Sequence, residues 1–538
     1  MAKTLFKSSE DSNFILNMTE EQYSKLASVG LVAACFTTSI SAVIPEVFDD
    51  NTYSVCATGL AVSGVICLVL ALIAIIKKYV RGRAVLPAIA FAGMLAWGGV
   101  SLFSSYDRHI GFYGFPQRGE GILALMFYFG VFVTAASVKR KKAVNALLIG
   151  IIGAGLLNSV WAVIQIFTGK LMFYSYTDIS VVVMAVAPAG LAQSPIFLAM
   201  LLTLSLTAAL VMATTGESER SRALAMLCGC LFAFVMVFTR TVAGIAGVII
   251  GLAAGAAALF IAKKPKERLT MLLMVLVAAG IGIGIAGTAK SGTRKGYRLC
   301  DGYILWSDDS YQRVSASGNY RPTEVDIEDS FDVYSFLNKE TIDIIKRYPL
   351  EGTGPEQLVY PQIYTYGELR PDAEITELAS LNAGTFDKTY NEYLYTAATR
   401  GIPSMILLMI ILAAALRSGY VKLKENADTE NTAAFMLTLS GVIVFLIGCS
   451  NITFSPVLWA CAGIACAELP VKERSKPAKK KSDMPEKPAK NEAPGKSGEG
   501  ENAVGSERTQ EPENPVKHGS LKEQKAKRAS VQKEKSKK

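Results

Sequence analysis

The chain has 538 residues, of which 51% are hydrophobic and 19% charged, with a net charge of +9. A water-soluble domain carries about 25% charged residues, so the composition argues against a soluble globular body. Residues 471–538 hold 19 Lys/Arg against 11 Asp/Glu, while the first 470 residues hold 36 against 35; the basic balance belongs to a tail, and nucleic acid binding by the body is not expected.

Twelve apolar runs follow one another at 28–45, 55–76, 84–104, 120–138, 143–167, 194–213, 223–238, 241–262, 270–287, 401–416, 432–449 and 452–468. A helix of about 20 such residues spans roughly 30 Å of hydrocarbon. The expected fold class is therefore an all-α polytopic membrane protein with about 12 transmembrane helices. The polar stretch 1–27 precedes the first run, and no small-residue cleavage pattern closes it, so that run is expected to be an anchor and not a signal peptide.

Basic residues punctuate every second loop. Lys77, Lys78, Arg81 and Arg83 follow the second run, Lys139 to Lys142 the fourth, and Arg220 and Arg222 the sixth. Lys263, Lys264, Lys266 and Arg268 follow the eighth, and Arg417, Lys422 and Lys424 the tenth. Because Lys and Arg are retained on the cytoplasmic side, both termini are expected there. The expected organisation is a cytoplasmic segment 1–27, membrane helices 1–9 over 28–287, an extracytoplasmic loop 288–399, helices 10–12 over 400–468 and a basic tail 469–538.

The piece 179–192 is short and interrupted by Pro and Gly, which predicts a re-entrant or interfacial segment enclosed by protein. Gly247, Gly251 and Gly255, and then Gly280, Gly282, Gly284 and Gly287, predict close helix approach within the chain. The loop 288–399 contains 18 Asp/Glu and 11 Lys/Arg. In it, SFLNKETIDIIKRY has helical spacing, and Pro349, Gly352, Gly354 and Pro355 end that helix in a turn. A further helix is expected from near Asp387, capped by that residue, into the tenth run. The tail is too poor in large apolar side chains to recover its ordering entropy and is expected to be disordered.

Eight of the nine cysteines lie in or beside apolar runs, and the two histidines are His109 and His518. Neither a disulfide framework nor a His-built metal centre is expected, and no cofactor is expected.

The apolar runs are nearly free of ionisable side chains, whereas ion-coupled transporters place such groups at mid-membrane. Polar chemistry instead collects at the outer boundary. Arg118, Arg240, Arg347 and Arg400 lie on or near it, although short outer loops normally lose arginine. The planar donor fork of arginine suits phosphate oxygens. PLEGTGPE is a glycine-rich bend followed by Glu356, and it matches no nucleotide-binding loop. Asp387, Lys388, Tyr390, Asn391 and Glu392 form a dense polar cluster before the tenth run.

Taken in order, GFYGFPQRGEGILAL, AVIQIFTG, FTRTVAGIAG, YPLEGTGPE and FDKTYNEYL followed by an apolar helix after Arg400–Gly401 resemble the O-antigen ligases and related polysaccharide polymerases. The likeness covers roughly residues 25–468. It implies a glycosyltransferase of the bacterial cytoplasmic membrane that works at the outer face without nucleotide or metal. Its partners would be a polyprenyl-pyrophosphate-linked glycan donor, a glycan or lipid-linked acceptor and the membrane lipids. Arg118 and Arg240 match the family's outer-face arginines and would hold pyrophosphate, with Arg347, Asn391 and Arg400 as further substrate-binding candidates.

Where the family has His-Asn before the tenth helix, this chain has Tyr390–Asn391. A tyrosine of ordinary pKa near 10 is a poor base, but its hydroxyl can orient an acceptor. The catalytic candidates are thus Tyr390 and the carboxylates Glu356, Asp387 and Glu392. Ligase and polymerase are not separated at this level. The alternatives are a lipid-linked glycan transporter or flippase and a non-catalytic scaffold of the same fold.

Overall fold

The computed structural model describes residues 17–43, 55–115, 118–139, 141–168, 188–192, 194–262, 265–288, 330–358, 361 and 388–468. Among them every regular element is a helix. These are α1 (Glu20–Ser41), α2 (Val55–Ile76), α3 (Val85–Phe103), a short α4 (Arg108–Tyr113), α5 (Ile122–Ala136), α6 (Lys141–Thr168) and α7 (Pro195–Thr215). They continue as α8 (Glu219–Phe238), α9 (Val242–Ala262), α10 (Pro265–Thr288), α11 (Ser330–Arg347), α12 (Glu392–Glu425), α13 (Thr429–Val444) and α14 (Ser455–Cys466).

Each apolar run falls in one of these helices, and among the described residues nine are long and apolar enough to cross a membrane. The chain is thus an all-α bundle consistent with a multi-pass membrane protein. The runs at 120–138, 432–449 and 452–468 shorten to helices of 15, 16 and 12 residues. At about 1.5 Å per residue these fall short of roughly 30 Å. In α14 every residue is buried, so protein and not lipid surrounds its ends. The backbone before it is satisfied internally, because Asn451 Oδ1 accepts from the Thr453 and Phe454 amides at 3.2 and 2.9 Å.

Polar side chains fix several helix starts. Thr19 and Gln22 form a capping box on α1. Ser194 caps α7 with Pro195 in its first turn, and Asp428 caps α13.

The charged pairs Arg81–Glu20 at 3.6 Å, Arg83–Glu425 at 2.7 Å, Lys139–Glu468 at 3.3 Å and Lys141–Asp428 gather three of the basic loops, the start of α1 and the residue Glu468 at one end of the bundle. Lys422 joins them by donating to the Ile464 and Ala467 carbonyls at the C-terminus of α14.

α7 is the central helix, with 94% of its apolar window buried. The glycines of α9 let it lie directly on α7, since a Cβ on Gly247, Gly251 or Gly255 would meet Thr203, Leu206 or Leu210. The contacts advance together along both helices, so α7 and α9 are parallel. By the same test Gly280 and Gly284 of α10 face open space, so helix packing does not require them.

α6 and α7 run antiparallel, with Ser205 Oγ donating to the Ile151 carbonyl and Gly190 lying between Asn158 and Leu198. The end of α6 and the start of α7 therefore lie at the same end of the bundle. Of the segment 179–192, positions 188–192 are described and buried, and their backbone is paired. Gln165 exchanges two hydrogen bonds with Gly190, and Asn158 Oδ1 accepts from the Leu191 amide. Positions 179–187 lie outside the described residues.

α12 does not begin near Asp387. Residues 388–391 are not helical, and Asn391 ends them as the N-cap, accepting from the Tyr393 and Leu394 amides at 3.1 and 3.2 Å. Asp387 itself, like 359–360, 362–386 and the tail 469–538, lies outside the described residues. α12 is broken at Gly401 (φ 80°, ψ 162°), with Pro403 two residues on.

In a continuous helix the amides of 402 and 403 would bond the carbonyls of 398 and 399. Here Pro403 has no amide proton, and the PLEGTG turn supplies the missing partners. The Thr353 and Gly354 amides donate to Ala398 and Thr399 at 2.9 Å each, and the Ile402 amide donates to Pro349 at 2.9 Å. Gly352 allows this approach, because a Cβ there would stand 2.5 Å from the Thr399 backbone. α11 lies against the same helix and buries Tyr334, Leu337, Thr341 and Ile344.

Candidate functional site

At the end of the bundle opposite the basic loops, three stretches distant in sequence meet. Gly121 begins α5 just after Arg118 and Glu120, the turn 349–358 carries Glu356, and the entry to α12 carries Lys388, Glu392 and Arg400. The α13–α14 connection adds Ser450.

Lys388 is the hub. Its side chain is fully buried, and it donates to Glu120 Oε2 and, at 2.8 Å, to the Ser450 carbonyl. Glu356 Oε1 lies 3.4 Å from the same ammonium, which also sits 5.3 Å from the centre of the Tyr395 ring.

Glu356 takes its direction from the turn below it and holds a left-handed backbone (φ 62°). Its side chain is 1% exposed, accepts from the Tyr395 hydroxyl at 2.5 Å and faces Arg118 Nε at 3.5 Å. Glu120 Oε1 accepts from Tyr128 at 2.7 Å and from Ser450 Oγ at 3.0 Å. Glu392 Oε1 accepts from Arg400 at 3.2 Å and Thr396 at 3.0 Å, and its Oε2 accepts from the Ser450 amide at 2.7 Å. Glu120, Glu356 and Glu392 thus stand against Arg118, Lys388 and Arg400, and the cluster is electrically balanced.

Burial alone would raise the Glu356 carboxyl, but Lys388, Arg118 and the Tyr395 hydroxyl outweigh it and hold it below the ordinary glutamate value. Burial would likewise lower the Lys388 ammonium, and Glu120 and Glu356 more than reverse that, so it stays charged. A carboxyl whose folded pKa is depressed stabilises the fold above its unfolded value and loses that contribution as pH falls through the folded one. Glu356→Gln should therefore lower the unfolding temperature at neutral pH. The gap from the wild type should persist down to the ordinary value of 4.5 and close only below it. A gap already closed at about pH 6 contradicts this assignment.

A cavity of about 30 Å³ adjoins the cluster. Its polar lining includes Glu120, Glu356, Glu392, Arg400, Tyr395 and Ser450, and its apolar lining includes Met94, Leu125, Leu408 and Trp459. Of the residues expected from sequence, Glu356, Glu392 and Arg400 face it. Arg118 lies behind Glu356, and its guanidinium sits 5.1 Å from the centre of the Phe115 ring. Tyr390 does not line the cavity; it is buried and stacked on Tyr334 at 4.4 Å. Asn391 is occupied as the cap of α12, and Arg347 is exposed at the end of α11.

Arg240 lies half-buried in the break between α8 and α9, with a left-handed backbone (φ 52°), and does not line the cavity. It belongs to the same end of the bundle, since α9 starts beside the start of α7, where Met200 meets Gly448. Lys78, Arg240 and Glu356 are the non-glycine residues with positive φ among those described. Such conformations are costly and concentrate at functional positions.

Glu120, Ser450, Tyr128 and Tyr395 were not among the candidates from sequence, and Lys388 entered only as a member of a polar cluster. Glu120 and Lys388 do sit inside the motifs GFPQRGEG and FDKTYNEYL. Their opposite charges at the same boundary are the available signal. Among known proteins, no family model and no curated sequence matches this chain.

Proposed function

We propose that the chain is a membrane glycan transferase with about 12 crossings and both termini in the bacterial cytoplasm. It moves a polyprenyl-pyrophosphate-linked oligosaccharide onto an acceptor hydroxyl at the outer face, as an O-antigen ligase-like enzyme or a polysaccharide polymerase. The observation that carries this reading is convergence. The stretches around Arg118, Glu356 and Lys388–Arg400, which resemble that family, lie far apart in sequence and share one buried ionic cluster beside a cavity. The strained backbone at Arg240 and Glu356 adds support.

In the proposed reaction the acceptor oxygen bonds to the anomeric carbon, and the bond from that carbon to the phosphate oxygen breaks. Pyrophosphate leaves with the electron pair, and the hydroxyl proton passes to a carboxylate or to water. Cations stabilise the charge that develops on the leaving group, a role for Arg240 and Arg118. A carboxylate near the attacking hydroxyl orients it.

Deletion of the gene should leave short unpolymerised surface glycan if the chain is a polymerase, or unattached full-length glycan if it is a ligase. Arg240→Ala should reproduce the deletion phenotype at normal protein level. Unchanged surface glycan in the deletion strain rules out both.

A further inference from the structure

We propose that the cavity beside Glu356 receives a neutral hydroxyl group, that of the acceptor glycan, and not the pyrophosphate of the donor. This rests on the transferase reading above.

Charge is the first ground. The three carboxylates and three cations around the cavity already pair with one another. A pyrophosphate entering here would leave its own charge uncompensated among largely buried side chains, where unpaired charge is strongly penalised. A hydroxyl brings no charge.

Hydrogen bonding is the second. Glu120 Oε1 and Oε2, Glu392 Oε1 and Oε2, and Glu356 Oε1 all accept from protein donors. Glu356 Oε2 accepts no hydrogen bond, although its side chain is 1% exposed and the residue lines the cavity. Arg118 faces that oxygen at 3.5 Å, an ion pair beyond normal hydrogen-bond length. A buried carboxylate oxygen in this state has acceptor capacity for an incoming donor. A sugar hydroxyl donates, whereas a phosphate anion only accepts.

Size is the third. About 30 Å³ suits one or two water-sized groups, enough for a hydroxyl or hydroxymethyl of a larger glycan and too little for two linked phosphates. Met94 and Leu408, which also line the cavity, offer no competing donor. Arg118 does not line the cavity.

The test uses the full chain in lipid nanodiscs. The lipid-linked glycan that accumulates in the deletion strain serves as donor, and the same glycan released from its lipid serves as acceptor. Glu356→Gln removes one negative charge and leaves the cluster with a positive excess. The hydroxyl assignment predicts an acceptor KM raised at least about tenfold with donor KM unchanged. A pyrophosphate site predicts the reverse, a lower donor KM with acceptor KM unchanged, and that result overturns the proposal.

Met94→Phe, which fills the cavity without touching a charge, should reproduce the acceptor defect should the first variant fail to fold. Released glycan should also protect the wild type against thermal unfolding and fail to protect either variant; equal protection of all three defeats the assignment. Glycan protection without any donor consumption removes the transferase reading and leaves the hydroxyl site standing.

Discussion

Lys388→Met is expected to cost about 3–5 kcal/mol of folding stability, the range for removing one partner of a buried ion pair. The ammonium is fully buried and answers two carboxylates from different parts of the chain, with side-chain exposures of 4% for Glu120 and 1% for Glu356. Methionine matches the length of the lysine stem but leaves Glu120 without a cation and Glu356 with Arg118 alone. Unfolding of the solubilised protein, followed by heating, should therefore occur well below the wild type. Glu120→Gln placed on top of Lys388→Met should recover part of the loss, because one of the stranded charges is then gone. An unfolding temperature equal to the wild type would mean that these groups are not buried together.

Gly401→Ala is the second large effect. The backbone there has φ 80°, a conformation that L side chains rarely adopt, and a Cβ would stand 1.7 Å from the carbonyl oxygen of Leu350. Because the obstacle is backbone, a side-chain rotation cannot relieve it. Strain of this kind costs about 1–3 kcal/mol, and displacement of the 349–354 turn adds the amides and carbonyls it had paired. The turn carries Glu356, so under the proposed transferase function the variant should lose turnover as well as stability. Trypsin reads out the change at Arg347, which lies just before the turn. Faster cleavage there is expected in Gly401→Ala, and an unchanged digestion pattern counts against the docking described for this loop.

The apolar runs were legible because lipid demands them: a backbone that crosses hydrocarbon must satisfy itself as a helix. Their lengths were less legible. Hydropathy does not separate a residue that faces lipid from one that faces other helices, and α14 is apolar for the second reason. The start of α12 was misjudged because Asp387 and Asn391 are both good caps, and only the folded chain assigns that role to Asn391.

At the site, sequence brought forward Glu356, Glu392, Arg118 and Arg400, since charges beside apolar runs need a reason to be there. It could not pair them. The link from Lys388 to Glu120 spans 268 positions and that from Ser450 to Glu120 spans 330, and nothing local encodes such contacts. Tyr390 was singled out by what stands at that position in a resembling family. Its stacking on Tyr334 reflects packing against α11, which local spacing does not reveal.

The enclosure of α7 also bears on how the chain is put together as it is made. Helices α8 and α9 reach it early, but α13 emerges more than 200 residues later, and it brings the Ser440 hydroxyl that lies 3.1 Å from that of Thr207. Until then the Thr207 flank of α7 must rest against lipid or a chaperone. The last third of the polypeptide, which also carries most of the cluster around Lys388, thereby closes both the centre of the bundle and the end that holds that cluster late in biogenesis.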